Sequence, residues 1–182
     1  MFSPKKRRTL VALDDPVVRD VVQKTPNCPG SPGPIVVGEA ARNYCENKPG
    51  EPPFQLSIQP ESKIAFRSNN LLTGTPFVVD LRMTNSTQLR QTFKVKCTSN
   101  EIFRVEPPLG FIAPGETVVL KIAFQSSSLP ERNKHFFAIH HMRVKPEDAA
   151  KPVRQLWTLF ARPEGVKRIP ASFEREDGTL HV

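Results

Sequence analysis

Three of the four histidines, His135, His140 and His141, crowd one short stretch of the chain, the first place to look for a metal or a catalytic base. His135 and His141 share a face of any strand there, yet six residues separate them, about 20 Å at ~3.3 Å per residue, whereas zinc ligands converge within ~2.1 Å of one ion. His140 points to the opposite face. No chelate forms within this strand, and no metal site is expected. The chain also lacks a Gly-rich phosphate loop, G-x-S-x-G, H-E-x-x-H and C-x-x-C. Its carboxylates sit mostly in turns and on polar faces, where solvation explains them, so no enzyme is predicted.

What remains is surface chemistry. Lys94, Lys96 and Thr98 alternate with Phe93, Val95 and Cys97, which puts a cationic ladder on the outward face of one strand. Phe136, Ala138 and Met142 leave an apolar stripe on the outward face of another. If those strands are neighbours, they frame a groove with charge along one wall and an aromatic along the other, suited to an extended acidic peptide. An exposed ion pair contributes only about 0.2–1 kcal/mol, so the lysines would steer a partner and Phe136 or Met142 would have to select it.

The elements that must position these residues are short strands. Val118, Leu120, Ile122 and Phe124 repeat the period of two, as do Phe77, Val79, Leu81 and Met83; Leu56 with Ile58 and Ile64 with Phe66 give two shorter runs around Pro60. Phe137, Ile139 and His141 form the inner face of a later strand, and a last strand runs around Lys167 to Phe173. Pro107, Pro108 and Gly110 mark a turn where the chain crosses or leaves a sheet, and Pro114-Gly115 marks another. Glu147 to Lys151 reads as a short helical insertion before Trp157. About seven strands with turn signals every ~8–12 residues predict an all-β, immunoglobulin-like antiparallel β-sandwich.

Composition divides the 182 residues near Pro53. Residues 1–53 are rich in proline and glycine and are expected to be a largely disordered extension, with a short helix after Asp15 through Val17, Val18, Val21 and Val22. Residues 54–182 hold the core. Ser3-Pro4-Lys5-Lys6-Arg7-Arg8 reads as a solvated basic tail, with import, groove-binding and Ser3 phosphorylation as the other readings. A net charge of +8 spread along the chain predicts solubility rather than nucleic-acid binding. Neither a signal peptide nor a membrane span is legible, so a cytoplasmic protein without membrane insertion is expected. Cys28, Cys45 and Cys97 are odd in number and predict free thiols.

In order and spacing, Lys63-Ile64-Ala65-Phe66, Leu81-Arg82-Met83-Thr84-Asn85, Phe93 to Asn100 and Arg104-Val105-Glu106-Pro107-Pro108-Leu109-Gly110-Phe111-Ile112-Ala113-Pro114-Gly115 resemble a major sperm protein (MSP) domain. The tail from Ala149 through Trp157 to Pro170 is similar to the nematode sperm branch. The resemblance implies a seven-stranded sandwich with no enzymatic activity and no cofactor. In the sperm branch such domains dimerise and build a cytoskeleton for crawling motility; in the vesicle-associated-membrane-protein-associated branch they bind acidic motifs with two phenylalanines. Lys94, Lys96 and Thr98 match the peptide-binding strand of the latter and Lys167 falls near a further basic contact, while Phe136 and Ala138 stand where that branch has lysine and methionine. The expectation is a cytoplasmic, cytoskeletal protein that associates with itself or with other MSP-type subunits. The alternative is a soluble receptor for acidic phenylalanine-containing peptides.

Overall fold

A computed structural model describes residues 45–181. The expectations for the basic tail, the valine helix and Cys28 lie outside the described residues. Among the described residues, nine strands form two sheets. One has the order β1 (Ser57–Gln59), β3 (Phe77–Thr84), β7 (Thr117–Phe124), β5 (Phe103–Glu106); the other runs β2 (Ile64–Arg67), β9 (Gly165–Glu174), β8 (Phe136–Arg143), β4 (Gln91–Cys97), β6 (Leu109–Ile112).

The count exceeds seven because prolines divide two strands, and the halves belong to different sheets. β1 ends at the cis Gln59–Pro60 peptide and β2 resumes in the second sheet; β5 and β6 are related in the same way across the cis Glu106–Pro107 bond and Pro108. A proline brings no N–H to the ladder, so pairing stops there. All four outermost strands are consequently three or four residues long.

Two expectations are corrected here. Gly110 lies inside β6 rather than in the turn, opposite Phe93, and a Cβ on it would come within 2.8 Å of the Phe93 ring. Its role is close approach of backbone to an aromatic face. The sheets are also not wholly antiparallel: β2 runs parallel to β9, with Ile64 opposite Ala171 and Arg67 opposite Glu174. The crossing at Pro60 delivers β2 alongside the last strand in the same direction.

The period-two residues form the core. Leu81, Met83, Phe93, Leu120, Ile122, Phe124, Phe137 and Ile139 are fully buried between the sheets. Aromatic rings cluster at one end, with Phe124–Phe173 centroids 4.8 Å apart and Phe103–Phe137 5.1 Å apart. Each such side chain contributes about 1.5–3 kcal/mol by leaving water. Cys97 packs half-buried against this core as a free thiol, and Cys45 is also free.

Buried polar side-chain atoms among the described residues are matched, His140 Nδ1 excepted. The side chain of Asn85 donates to the Leu89 and Ile112 carbonyls and accepts from Thr87, clasping the β3–β4 and β6–β7 connections. The Gln55 amide donates to His141 Nε2 at 3.1 Å, so the ring proton sits on Nδ1 and is given to Gln91 Oε1 at 3.1 Å. Burial depresses the His141 pKa to about 4, and the ring is neutral. Gly165 faces it, where a Cβ would stand 2.0 Å from Nε2.

The segment between β8 and β9 begins with a 3-10 turn at Pro146–Asp148, and Pro152 precedes a single α-helical turn, α1 (Val153–Leu156). Trp157 pins it to the sheet: its indole N–H donates to Thr92 Oγ1 at 3.0 Å, and that hydroxyl donates to the Gly110 carbonyl.

Glu174 ties β2 to β9. Its buried carboxylate meets Lys63, Arg67 at 2.8 Å and the Ser172 hydroxyl. Those hydrogen bonds, Lys63 first, hold its pKa at about 2 against the usual 4.5. A carboxyl depressed in the folded state favours folding above its unfolded pKa and loses that contribution as pH falls toward the folded one. Urea unfolding should show wild-type stability eroding between pH 4.5 and about 2 through this group. Glu174→Gln should cost about 2 kcal/mol at neutral pH, since both cations stay partly solvated, and should flatten that stretch of the pH profile.

Candidate functional site

Strand pairing sets out the outer face of the five-stranded sheet in rungs. Thr92 lies beside Met142, Lys94 beside His140 and Val166, and Lys96 beside Ala138 and Arg168. At the far end the Thr98 amide donates to the Phe136 carbonyl at 3.3 Å, and Phe136 lies beside Pro170. Lys96, Thr98, Phe136, Ala138, His140 and Arg168 surround a groove of about 720 Å³, closed on the β9 side by Glu46, Asn47 and Lys48.

The expected site residues are therefore partly united. Lys96, Thr98 and Phe136 share the groove; Lys94 is half-buried one rung further along the same face. Met142 lines a different cavity, of about 430 Å³, beneath the insertion. Lys167 sits opposite Ile139, an inward residue, and its ammonium reaches Glu61 at 3.5 Å on that side. Arg168, the next residue, holds the position in phase with Lys96.

The third wall comes from a segment that sequence composition assigns to the extension. Lys48 to Glu51 form a turn closed by a 3.0 Å hydrogen bond, with Gly50 at φ +84°, where glycine carries no penalty. The turn aims Glu51 at Arg168 in a bidentate pair of 2.6 and 2.7 Å. The Arg168 guanidinium, and then the Lys48 amide, hold the Glu51 pKa at about 2. Asn47 donates to the Val166 carbonyl at 2.9 Å, and the Val166 amide donates to the Pro52 carbonyl at 3.2 Å. This strap has no hydrophobic period, so only the acidic residue itself hinted at a contact.

Lys48, Lys96 and Arg168 line the groove with Glu46, and His140 adds a ring between them. Burial, then Lys96 and Arg168, lower the His140 pKa, and its buried Nδ1 has no hydrogen-bond partner in the described structure. Thr98 Oγ1 bonds His135 Nδ1 at 3.0 Å. With His141 in the core and His135 engaged at the rim, the three rings serve three separate environments.

The sequence profile described as MSP (Major sperm protein) domain matches residues 55–159. The chain belongs to the MSP domain family. An uncharacterized Caenorhabditis elegans protein is 36% identical over 156 residues, covering 74% of this chain and 85% of its own. The vesicle-associated membrane protein/synaptobrevin-binding protein of Aplysia californica is 27% identical over 68% of this chain, which spans 47% of it. Major sperm protein 10/36/56/76 of C. elegans is 26% identical, covering 58% and 82%. The solved structure of SSP-19, an MSP-domain-like family member of C. elegans, superposes with a TM-score of 0.53 at 17% identity, covering 65% of this chain and 98% of that one, which places the fold.

Beside the hydrogen bonds of Asn47 and Pro52 with Val166, the Glu51–Arg168 ion pair ties the strap to β9 of this MSP-family chain. Glu51→Gln should release it, and hydrogen exchange at the Val166 amide should quicken by about tenfold while the amides of Phe93 and Ile139 keep their protection.

Proposed function

We propose that this MSP-domain protein is a non-catalytic association module that seats an extended acidic segment of a partner protein in the groove between β4 and the strap. The observation that carries this reading is Lys96 beside Ala138, with Phe136 next to them and Lys48 on the strap, which joins exposed cations, an apolar floor and an aromatic wall. Lys48 and Lys96 steer the acidic chain, and Phe136 with Ala138 supplies contact area for an apolar anchor. The name of the Aplysia relative, a synaptobrevin-binding protein, supports recognition of a partner protein. Titrating a fluorescent acidic peptide with two phenylalanines measures it: Lys94→Glu with Lys96→Glu should weaken binding at least about tenfold, and added salt should weaken the wild type. Equal affinity in the double variant removes the groove as the site.

A second reading, cytoplasmic and cytoskeletal self-association of the sperm type, draws on the relatives named major sperm proteins and on the outer face of the four-stranded sheet. There Lys121 stands between Asp80 and Glu106, Arg82 lies beside Val119, and Val78 is half exposed. A face that alternates charge in this way can meet a second copy of itself. Sedimentation velocity at rising concentration distinguishes the two readings: self-association that Lys121→Glu weakens and the Lys94/Lys96 double variant leaves intact favours assembly through this face, and a monomer throughout excludes it.

A further inference from the structure

The insertion between β8 and β9 presents the two most exposed large apolar side chains among the described residues, Leu159 at 100% and Phe160 at 90%. They occupy the centre of a closed turn: the Ala161 amide donates to the Thr158 carbonyl at 3.2 Å, and the Phe160 amide to the Thr158 hydroxyl at 3.3 Å. Trp157, immediately before the turn, is tied to Thr92, so the base is fastened to the sheet while the tip stands clear.

Around the tip the exposed charges are mostly positive. Arg154 and Arg162 flank it along the chain, and Lys145, Lys151 and Arg162 share with Phe160 the cavity beneath the insertion. Among the nearby carboxylates, Asp148 is paired with Lys151 at 2.7 Å and Glu164 with Arg143 at 3.0 Å, while Glu147 is exposed. Lys145, Arg154 and Arg162 have no carboxylate partner in the described structure.

We propose that the Leu159–Phe160 turn is a shallow anchor for an anionic lipid bilayer. Two neighbouring bulky side chains that protrude, rather than spread into a flat patch, suit a soft medium that closes around them; a protein would need a matching pocket. A bilayer also accepts the cations, which remain at headgroup level while leucine and phenylalanine enter the acyl boundary. Apolar contact and charge each bind weakly alone, and the combination of the two makes stable peripheral attachment. Hydropathy reading looks for a span and does not register such a device; no helix among the described residues is long and apolar enough to cross a membrane. The proposal is independent of the peptide groove, which has different walls.

Trp157 is the chain's single tryptophan and a built-in reporter. The full chain is mixed with vesicles of phosphatidylcholine alone or with phosphatidylserine, and bound protein is measured by sedimentation and by quenching of Trp157 with brominated lipid. Binding to the serine-containing vesicles, quenching there, and at least about a tenfold loss in the Leu159→Ser/Phe160→Ser variant support the anchor. Arg154→Glu with Arg162→Glu should weaken the same binding without removing apolar surface, and thermal unfolding of each variant verifies that its fold persists. Vesicle binding unchanged by the Leu159/Phe160 substitutions assigns attachment to other cations, such as Lys5 to Arg8, and overturns the proposal. So does absence of vesicle binding, including the case where the substitutions instead abolish self-association.

Discussion

Burial of Phe137, Ile139 and His141 on the inner face of β8 is the constraint from which the rest follows, because a strand's side chains alternate without exception along a regular ladder. Once those three point inward, Phe136, Ala138, His140 and Met142 must point outward, and pairing with β4 and β9 fixes their companions. A shift of β9 by one residue would exchange Arg168 for Lys167 on the outer face and bury a guanidinium against the aromatic core. Glu174 opposes that shift from the far end of the strand, since its carboxylate meets Lys63 and Arg67 only in the observed register.

Much of this is legible in the sequence of β3, β4 and β7, where inward apolar residues recur with a period of two, while β8 carries apolar residues on both faces. The outward ladder of Lys94, Lys96 and Thr98 and the neighbouring Phe136 could be read for the same reason. The last strand is less legible. Its flanking Lys167 and Arg168 are both basic, and composition alone does not say which one is in phase with the groove. Two prolines just before Leu109-Gly110 suggest turn chemistry at Gly110, whereas the reason for a glycine there is the Phe93 ring, a partner distant in the chain and invisible to local pattern. The parallel pairing of β2 and β9 depends likewise on where the crossing at Pro60 lands.

The strap from Glu46 to Pro53 alters how the groove's charge should be understood. Arg168 is largely covered, and its charge is already answered within the chain by Glu51. Lys48 and Lys96 are the cations left to face an incoming ligand, and His140, whose pKa is lowered by burial and then by Lys96 and Arg168, would gain a proton more readily beside an acidic one. The same strap supplies backbone to the groove wall, so affinity and wall geometry share residues with a segment whose attachment rests on few contacts.

The abbreviated outer strands have a consequence for colloidal behaviour. A long, flat margin of unpaired amides invites a neighbouring molecule to extend the ladder, the usual opening step of amyloid-like aggregation. Here every margin ends after three or four residues, and two of the breaks carry proline. A second molecule therefore finds little backbone to pair with here, and contact between copies falls to side chains.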